Sequence, residues 1–238
     1  MIEERGAVEY GGHTITYKII RRRRQTLEIA VEPDASVIIV APLDAPIEKI
    51  AEKVRKRAAW VRRQQRYFSH FMPRTPERRF EPGETHLYLG RQYRLKVVHH
   101  PQAAVKLTRG FILVQSHKPR QPEATRLQLD RWYRERAQLK FDERLEKSLA
   151  RFANPDALRP KDVTIRQLRH RWGSMSPNGR LMLNLQLIRA PVDAIDYVIT
   201  HELCHITEPH HRAPFFDLLE KVMPDWRKRK ERLERFMA

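Results

Sequence analysis

The sequence predicts an α+β fold: a β-rich region with one helix in residues 1–120, followed by a second domain in residues 121–238. Two observations predict this division. Short β-branched runs separated by turn residues dominate the first part, whereas long stretches with apolar residues at helical spacing dominate the second. Between them, residues 117–122 are basic and contain two prolines, which is typical of a linker. A length of 238 residues allows one large domain or two small ones.

The N-terminal region is predicted to contain strands at 10–20, 27–31 and 37–40, with turns at Gly11-Gly12 and Pro33-Asp34. Residues 46–69 carry apolar side chains at helical spacing and are predicted to form one helix, capped by Asp44. Two hairpins follow. The first joins 87–89 to 93–98 around Gly90, and the second joins 105–107 to 111–114.

The second region is predicted to begin with a long amphipathic helix over 124–152. Its apolar positions are Leu127, Trp132, Leu139, Phe141, Leu145 and Leu149. Strands are expected at 163–168 and 181–187, around the turn at 177–179. A helix from Pro191 runs through His205 and stops at Pro209, and helices at 213–222 and from Asp225 end the chain.

Composition excludes several classes of protein. Hydrophobic residues make up 41% of the chain, enough for a folded core. No apolar run approaches the roughly 20 residues that a bilayer span needs, and residues 1–12 lack the apolar stretch of a signal peptide. Cys204 is the single cysteine, so the chain forms no internal disulfide. These features predict a cytoplasmic location in a reducing compartment.

The charge balance is strongly basic. The chain has 47 Lys and Arg against 29 Asp and Glu, a formal net charge of +18. Basic residues cluster at 21–24, at 55–66 and at 227–230. Such a surface attracts polyanions, so nucleic acid and nucleotides are candidate partners, although a run of charges is also typical of a solvated face.

The segment His201-Glu202-Leu203-Cys204-His205 is the strongest indication of chemistry. Residues four apart on a helix lie on one face, so His201 and His205 can bind one cation. Glu202 then lies beside the metal, where it can accept a proton from a bound water. Zinc prefers imidazole ligands and is the predicted cofactor.

A third ligand is needed to complete a catalytic zinc site. Glu208, His210 and His211 follow directly after the helix. His211 stands ten positions after His201, the spacing of the third histidine in metzincins. Glu208 replaces the glycine of that pattern, so the turn must differ in shape and His210 remains an alternative.

These motifs resemble the YgjP-like metallopeptidase family, also called the domain of unknown function 45 group, which is related to the SprT-like and WLM zinc proteases. The resemblance rests on the sequence segments 171–174, 183–185, 195–198, 201–205 and 211–216, and it extends upstream to 83–95.

The resemblance implies a minimal zincin-like core with a long helix, a small sheet and an active-site helix. It implies zinc ligands at His201, His205 and His211, and a catalytic base at Glu202. It also places Asn184 on a strand beside the cleft, where an extended peptide could pair with the sheet edge. Trp172 is expected either to approach the site from the preceding loop or to serve as a core aromatic.

We therefore predict a zinc-dependent hydrolase, most simply a peptidase with a peptide or protein substrate. Arg171, Ser174 and His170 are candidate donors to the oxyanion. Two alternatives remain open. The same metal chemistry can hydrolyse nucleoside triphosphates, or the metal can be structural in a nucleic-acid-associated protein.

Overall fold

The computed structural model describes residues 4–32, 35–69, 78–168 and 171–237. The chain forms two compact units, 1–76 and 77–237. This division lies well before residue 120, where the sequence analysis placed the boundary. The sheet of residues 85–116 accounts for the difference, because its Leu95, Ile112 and Val114 share one core cluster with the long helix that follows.

The first unit is a mixed sheet covered by two helices. Its strands are β1 (Glu4–Tyr10), β2 (His13–Arg22), β3 (Glu28–Val31) and β4 (Val37–Pro42), in the order β1-β2-β4-β3. β2 and β4 are parallel, and the other neighbours are antiparallel. Alternate residues of β2, Ile15, Tyr17 and Ile19, are buried against Ile50 and other apolar side chains, as a one-sided sheet requires.

The helix predicted over 46–69 is divided at Arg57 into α1 (Ile47–Lys56) and α2 (Ala58–Ser69). Arg57 has φ −101° and ψ 4°, outside helical geometry. The Asp44 cap was also wrong, since Pro46 is the N-cap residue and no side chain caps the helix. The predicted turn at Pro33-Asp34 lies outside the described residues.

The second unit begins with a sheet of β5 (Thr85–Tyr88), β6 (Arg91–His99), β7 (Ala104–Thr108) and β8 (Phe111–Ser116), in the order β5-β6-β8-β7. Both predicted hairpins are present. Gly90, at the β5–β6 turn, has φ 78°, and a β-carbon there would lie 2.9 Å from Cα of Pro191. This close approach brings the turn to the start of the helix that carries the histidine motif.

The long helix α3 (Pro122–Leu149) packs on this sheet and confirms the predicted amphipathic helix. Its buried face runs through Leu129, Tyr133, Ala137, Phe141 and Leu145, four residues apart. Leu127 and Leu139, expected on that face, are instead 63% and 66% exposed because they fall outside this row.

A second small sheet contains β9 (Asp162–Arg166), β10 (Gly173–Met175) and β11 (Arg180–Asn184), in the order β10-β11-β9. β9 runs parallel to β11, and the hairpin partner of β11 is β10, a strand that the sequence analysis did not predict. The strand predicted to reach residue 187 ends at Asn184, where the chain enters a short 3-10 helix, Leu185–Arg189. The Asn184 side chain accepts a hydrogen bond from the Gln186 N–H and so begins that turn.

Three helices complete the unit: α4 (Val192–Thr207), α5 (Ala213–Val222) and α6 (Trp226–Met237). α4 is buried along most of its length, including Ile195, Ile199 and Leu203. The α+β class, the long helix, the small sheet and the motif-bearing helix are all as predicted. Within the described ranges, no helix is both long and apolar enough to cross a bilayer.

Candidate metal centre and catalytic cleft

Three histidines converge at the end of α4. His201 and His205 lie one turn apart on the helix, and His211 returns from the segment after it. One ligand nitrogen from each lies within 4.8 Å of the others, and Nε2 of His211 is 2.9 Å from Nε2 of His201. The structure therefore brings together the three histidines named from the sequence. His210 lines the adjacent cleft but is not part of this cluster.

Hydrogen bonding determines which nitrogen of His205 faces the cluster. Its Nδ1 lies 3.1 Å from the carbonyl oxygen of Glu208. With Nδ1–H donating to that carbonyl, the lone pair is on Nε2, which is how ligating histidines are commonly oriented. Glu208 thus contributes its backbone rather than its carboxylate.

Phe215 of α5 is the common neighbour of all three imidazoles. Its ring centroid lies 4.9 Å from that of His201 and 4.6 Å from those of His205 and His211. Phe215 is fully buried. Because the rings pack around one aromatic side chain, their positions depend on it, and no local sequence pattern indicates this role for Phe215.

The donor set fits a zinc ion. Burial lowers the pKa of His201 to about 3, with further contributions from His205 and His211, and burial also lowers the pKa of His211. These rings are therefore neutral near pH 7 and offer lone pairs. Three imidazoles carried on two adjacent segments are a ligand set that suits zinc.

Glu202 faces the cleft beside the histidines and is only 7% exposed. Burial raises its pKa to about 7, although the backbone N–H of Met175 and the charge of Arg171 lower it in part. Gly173 lies directly against this side chain, so β10 holds the carboxyl group from the side opposite α4. A carboxyl group with a pKa near 7 can both accept and release a proton at neutral pH.

The cleft in front of the histidines has a volume of about 900 Å³. α4 forms its floor with Tyr197, Val198 and Ile206 in addition to the motif residues, and the β10 segment forms one wall. Arg171, Trp172 and Ser174 all line this wall, as predicted by position. Trp172 also packs against the core, so it lies both at the cleft and beside the core cluster. His170 lies outside the described residues.

Asn184 does not line the cleft. It is 3% exposed, and its Nδ2 donates to the carbonyl oxygens of Leu168 and Arg171 at 3.0 and 2.9 Å. Its strand β11 lies between β10 and β9, so the sheet edge beside the cleft belongs to β10. Asn184 therefore holds the segment that leads into β10, and its side chain is not part of the cleft lining.

Tyr197 and Cys204 are two further residues of α4 whose pKa values are raised by burial. Tyr197 lies one turn before His201, with ring centroids 5.7 Å apart, and burial raises its pKa. Tyr197 lies four residues before His201, and this helical spacing is the sequence feature that could have indicated its position beside the site. Cys204 is fully buried, and burial raises the pKa of its thiol to about 12, which keeps it protonated, as expected of a small core residue.

Two histidines on one helix, a third from the following segment and a glutamate facing an open cleft define a metal-dependent hydrolase. Sequence comparison gives the same class. The family described as YgjP-like, metallopeptidase domain, matches residues 25–236, and the chain belongs to this family.

Among solved structures, the chain is similar to the metallopeptidase zymogen of Pyrococcus abyssi abylysin, known from a crystal structure. The two are 24% identical, the match covers 41% of this chain and 99% of that chain, and the TM-score is 0.34. The comparison with curated proteins found no match.

Proposed function

We propose that the protein is a zinc-dependent peptidase in which His201, His205 and His211 hold the metal and Glu202 is the general base. The observation that carries this proposal is the convergence of three imidazole nitrogens within 4.8 Å beside a buried carboxyl group. Zinc, when bound, would polarise the scissile carbonyl and acidify a water molecule.

The residues of the chain supply the remaining steps. Glu202 accepts a proton at its carboxylate as the nucleophile forms, and it returns that proton to the leaving amine. Arg171 and Ser174 line the cleft and are candidate donors to the oxyanion. Tyr197, on the floor, is a further candidate because it presents a phenol that burial keeps protonated.

β10 is the strand on which an extended substrate would bind. The carbonyl of Trp172 accepts from the Asn184 N–H, and the Ser176 N–H donates to Arg180, so residues 172 and 176 face β11. By alternation, the main-chain groups of Gly173 and Met175 face away from it, and of these the Met175 N–H already donates to Glu202. A peptide could add there as a further strand, with its carbonyl near the histidines.

The test is a direct assay of the purified chain. Zinc content is measured first, and hydrolysis of a peptide library, casein and nucleoside triphosphates is then followed with and without a chelator. The proposal expects peptide cleavage that a chelator abolishes and added zinc restores. Metal-dependent hydrolysis of the triphosphates alone would overturn it in favour of phosphohydrolase chemistry.

A further inference from the structure

Two of the three basic runs that stand out in the sequence, 21–24 and 227–230, are partly neutralised in the structure. Arg21 pairs with Glu4 at 2.7 Å, and Arg24 pairs with Glu28 at 2.8 Å. The C-terminal run is paired as well, through the contacts Arg227–Glu220, Arg229–Asp225 and Lys230–Glu234. These runs are therefore poorer sites for an anion than their sequence indicates.

A different cleft in the second unit concentrates positive charge. It has a volume of about 410 Å³ and lies between residues 78–80, the first turns of α3 and the 3-10 helix that follows β11. It shares no lining residue with the catalytic cleft. Its described lining includes five arginines: Arg78, Arg79, Arg126, Arg134 and Arg189.

The acidic residues of this cleft do not balance its charge. Glu123 and Asp130 both lie on α3 and both approach Arg126, at 3.7 and 3.8 Å. Neither Arg134 nor Arg189 forms an ion pair with a carboxylate among the residues that the structure describes. Most of the positive charge in the cleft thus lacks a carboxylate partner in this part of the chain.

Neutral groups hold two of these guanidinium groups in place. The Arg189 guanidinium carbon lies 5.0 Å from the ring centroid of the buried Tyr133, whose hydroxyl donates to the Leu87 carbonyl at 2.8 Å. Arg78 donates to the Thr85 carbonyl. Burial lowers the pKa of the neighbouring His86 to about 4; the Glu84 carboxylate raises this pKa, whereas the charges of Arg78 and Arg189, which both lie near His86, lower it further.

We infer that this arginine cleft binds the phosphate groups of a linear polyanion. Guanidinium groups fixed against neutral partners offer planar pairs of donors, which match phosphate oxygens. A volume of about 410 Å³ can hold more than one phosphate group, and Gln167 and Gln186 add uncharged donors to the lining of the cleft. Phosphate groups of this kind occur in a free oligophosphate and in the backbone of single-stranded nucleic acid.

Binding to the full-length chain tests this inference. Tripolyphosphate is titrated by calorimetry, and a fluorescein-labelled single-stranded dT oligonucleotide is titrated by anisotropy at several salt concentrations. The cleft variant is Arg134→Gln with Arg189→Gln. The control is Arg109→Gln with Arg131→Gln, which removes the same charge from two exposed residues that line neither cleft. Wild type and all variants keep the three histidines. Any binding of a probe to a metal ion held there therefore contributes equally to every titration.

The cleft variant is expected to bind the preferred probe at least about tenfold more weakly, and the control within about twofold of wild type. For the oligonucleotide, the slope of the logarithm of the binding constant against the logarithm of the salt concentration should become less steep by about 1.4, because two phosphate contacts are lost. The probe that wild type binds more tightly identifies the source of the phosphate. Arg134→Gln alone, an exposed change that does not threaten the fold, should weaken binding by about threefold.

Two results would overturn the inference. Equal losses in the cleft and control variants would show binding by the diffuse +18 charge. Wild-type affinity weaker than about 0.1 mM for both probes would show no specific site. Neither result bears on the peptidase proposal, because the two clefts share no residue.

Discussion

Gly173 lies against Glu202 so closely that a β-carbon at Gly173 would be 2.9 Å from Cγ and 3.1 Å from Oε1 of that side chain. A contact this short cannot be accommodated without movement. Because the far wall of the cleft is a β-strand and Glu202 is on a buried helix, the carboxyl group is the part that would move. The glycine therefore determines where the proposed base lies relative to the histidines.

Gly173→Ala is expected to lower kcat by about 10- to 100-fold while zinc content and KM change little, because it displaces the carboxyl group and leaves the ligands in place. Steady-state kinetics with zinc analysis measures this. A variant with wild-type kcat would show that the position of Glu202 is not limiting.

Glu202→Gln is expected to keep zinc and to lose activity by about 10²- to 10⁴-fold, since the amide cannot accept the proton. Metal analysis and peptide hydrolysis check both parts. Full activity in this variant would contradict the role of general base, even if the three histidines hold the metal.

Phe215→Leu is expected to weaken zinc binding by about 10- to 100-fold, because all three imidazoles pack around this ring. Phe141→Leu is the matched control, since Phe141 is equally buried and lies on α3. Both variants should lose stability, but only Phe215→Leu should lose zinc in a competition titration with a chelator. Equal zinc affinity in the two variants would show that Phe215 does not position the three imidazoles.

Asp196 is the buried carboxylate that joins α4 to α3. Its two oxygens accept from Nε and Nη2 of Arg144, both at 2.6 Å, and its side chain is 5% exposed. Asp196→Ala should lower the free energy of unfolding by about 3–5 kcal/mol, because it removes the closest carboxylate partner of the largely buried Arg144 guanidinium group.

Asp193, on the same helix, pairs with Arg232 but is 33% exposed. Asp193→Ala should cost no more than about 1 kcal/mol. Denaturant titrations compare the two variants. Similar losses would mean that the buried pair contributes no more than a surface pair.

His86 predicts a pH dependence of stability. Burial lowers its pKa to about 4, against 6.5 for an ordinary histidine. Between pH 4 and 6.5, His86 binds a proton in the unfolded chain more readily than in the folded protein. The free energy of unfolding therefore falls as the pH is lowered from 6.5 to 4, by about 3 kcal/mol at most. His86→Gln should flatten this part of the curve in denaturant titrations. Parallel curves for the two proteins would rule out the His86 contribution.

The sequence predicted the α+β class and most strands and helices of the second unit, and the structure brings together the three histidines that the sequence pointed to. These predictions succeed because helical and strand periodicity and the His-Glu-x-x-His spacing are local properties of the chain. β10 was not predicted because only three of its residues pair with β11. Whether so short a segment forms a strand depends on the neighbouring strand of the sheet rather than on its own composition. Leu127 and Leu139 were misplaced because their hydrophobicity does not show which face of α3 meets the core.

By itself, the sequence determined that His201, Glu202 and His205 share one helix turn, since that follows from helix geometry alone. Only the tertiary structure decided which residues surround them, such as Gly173 and Phe215. It also decided that the paired basic runs are less available than a cleft containing Arg134 and Arg189. Contacts between residues distant in the chain depend on how the elements pack, and no local pattern encodes that packing.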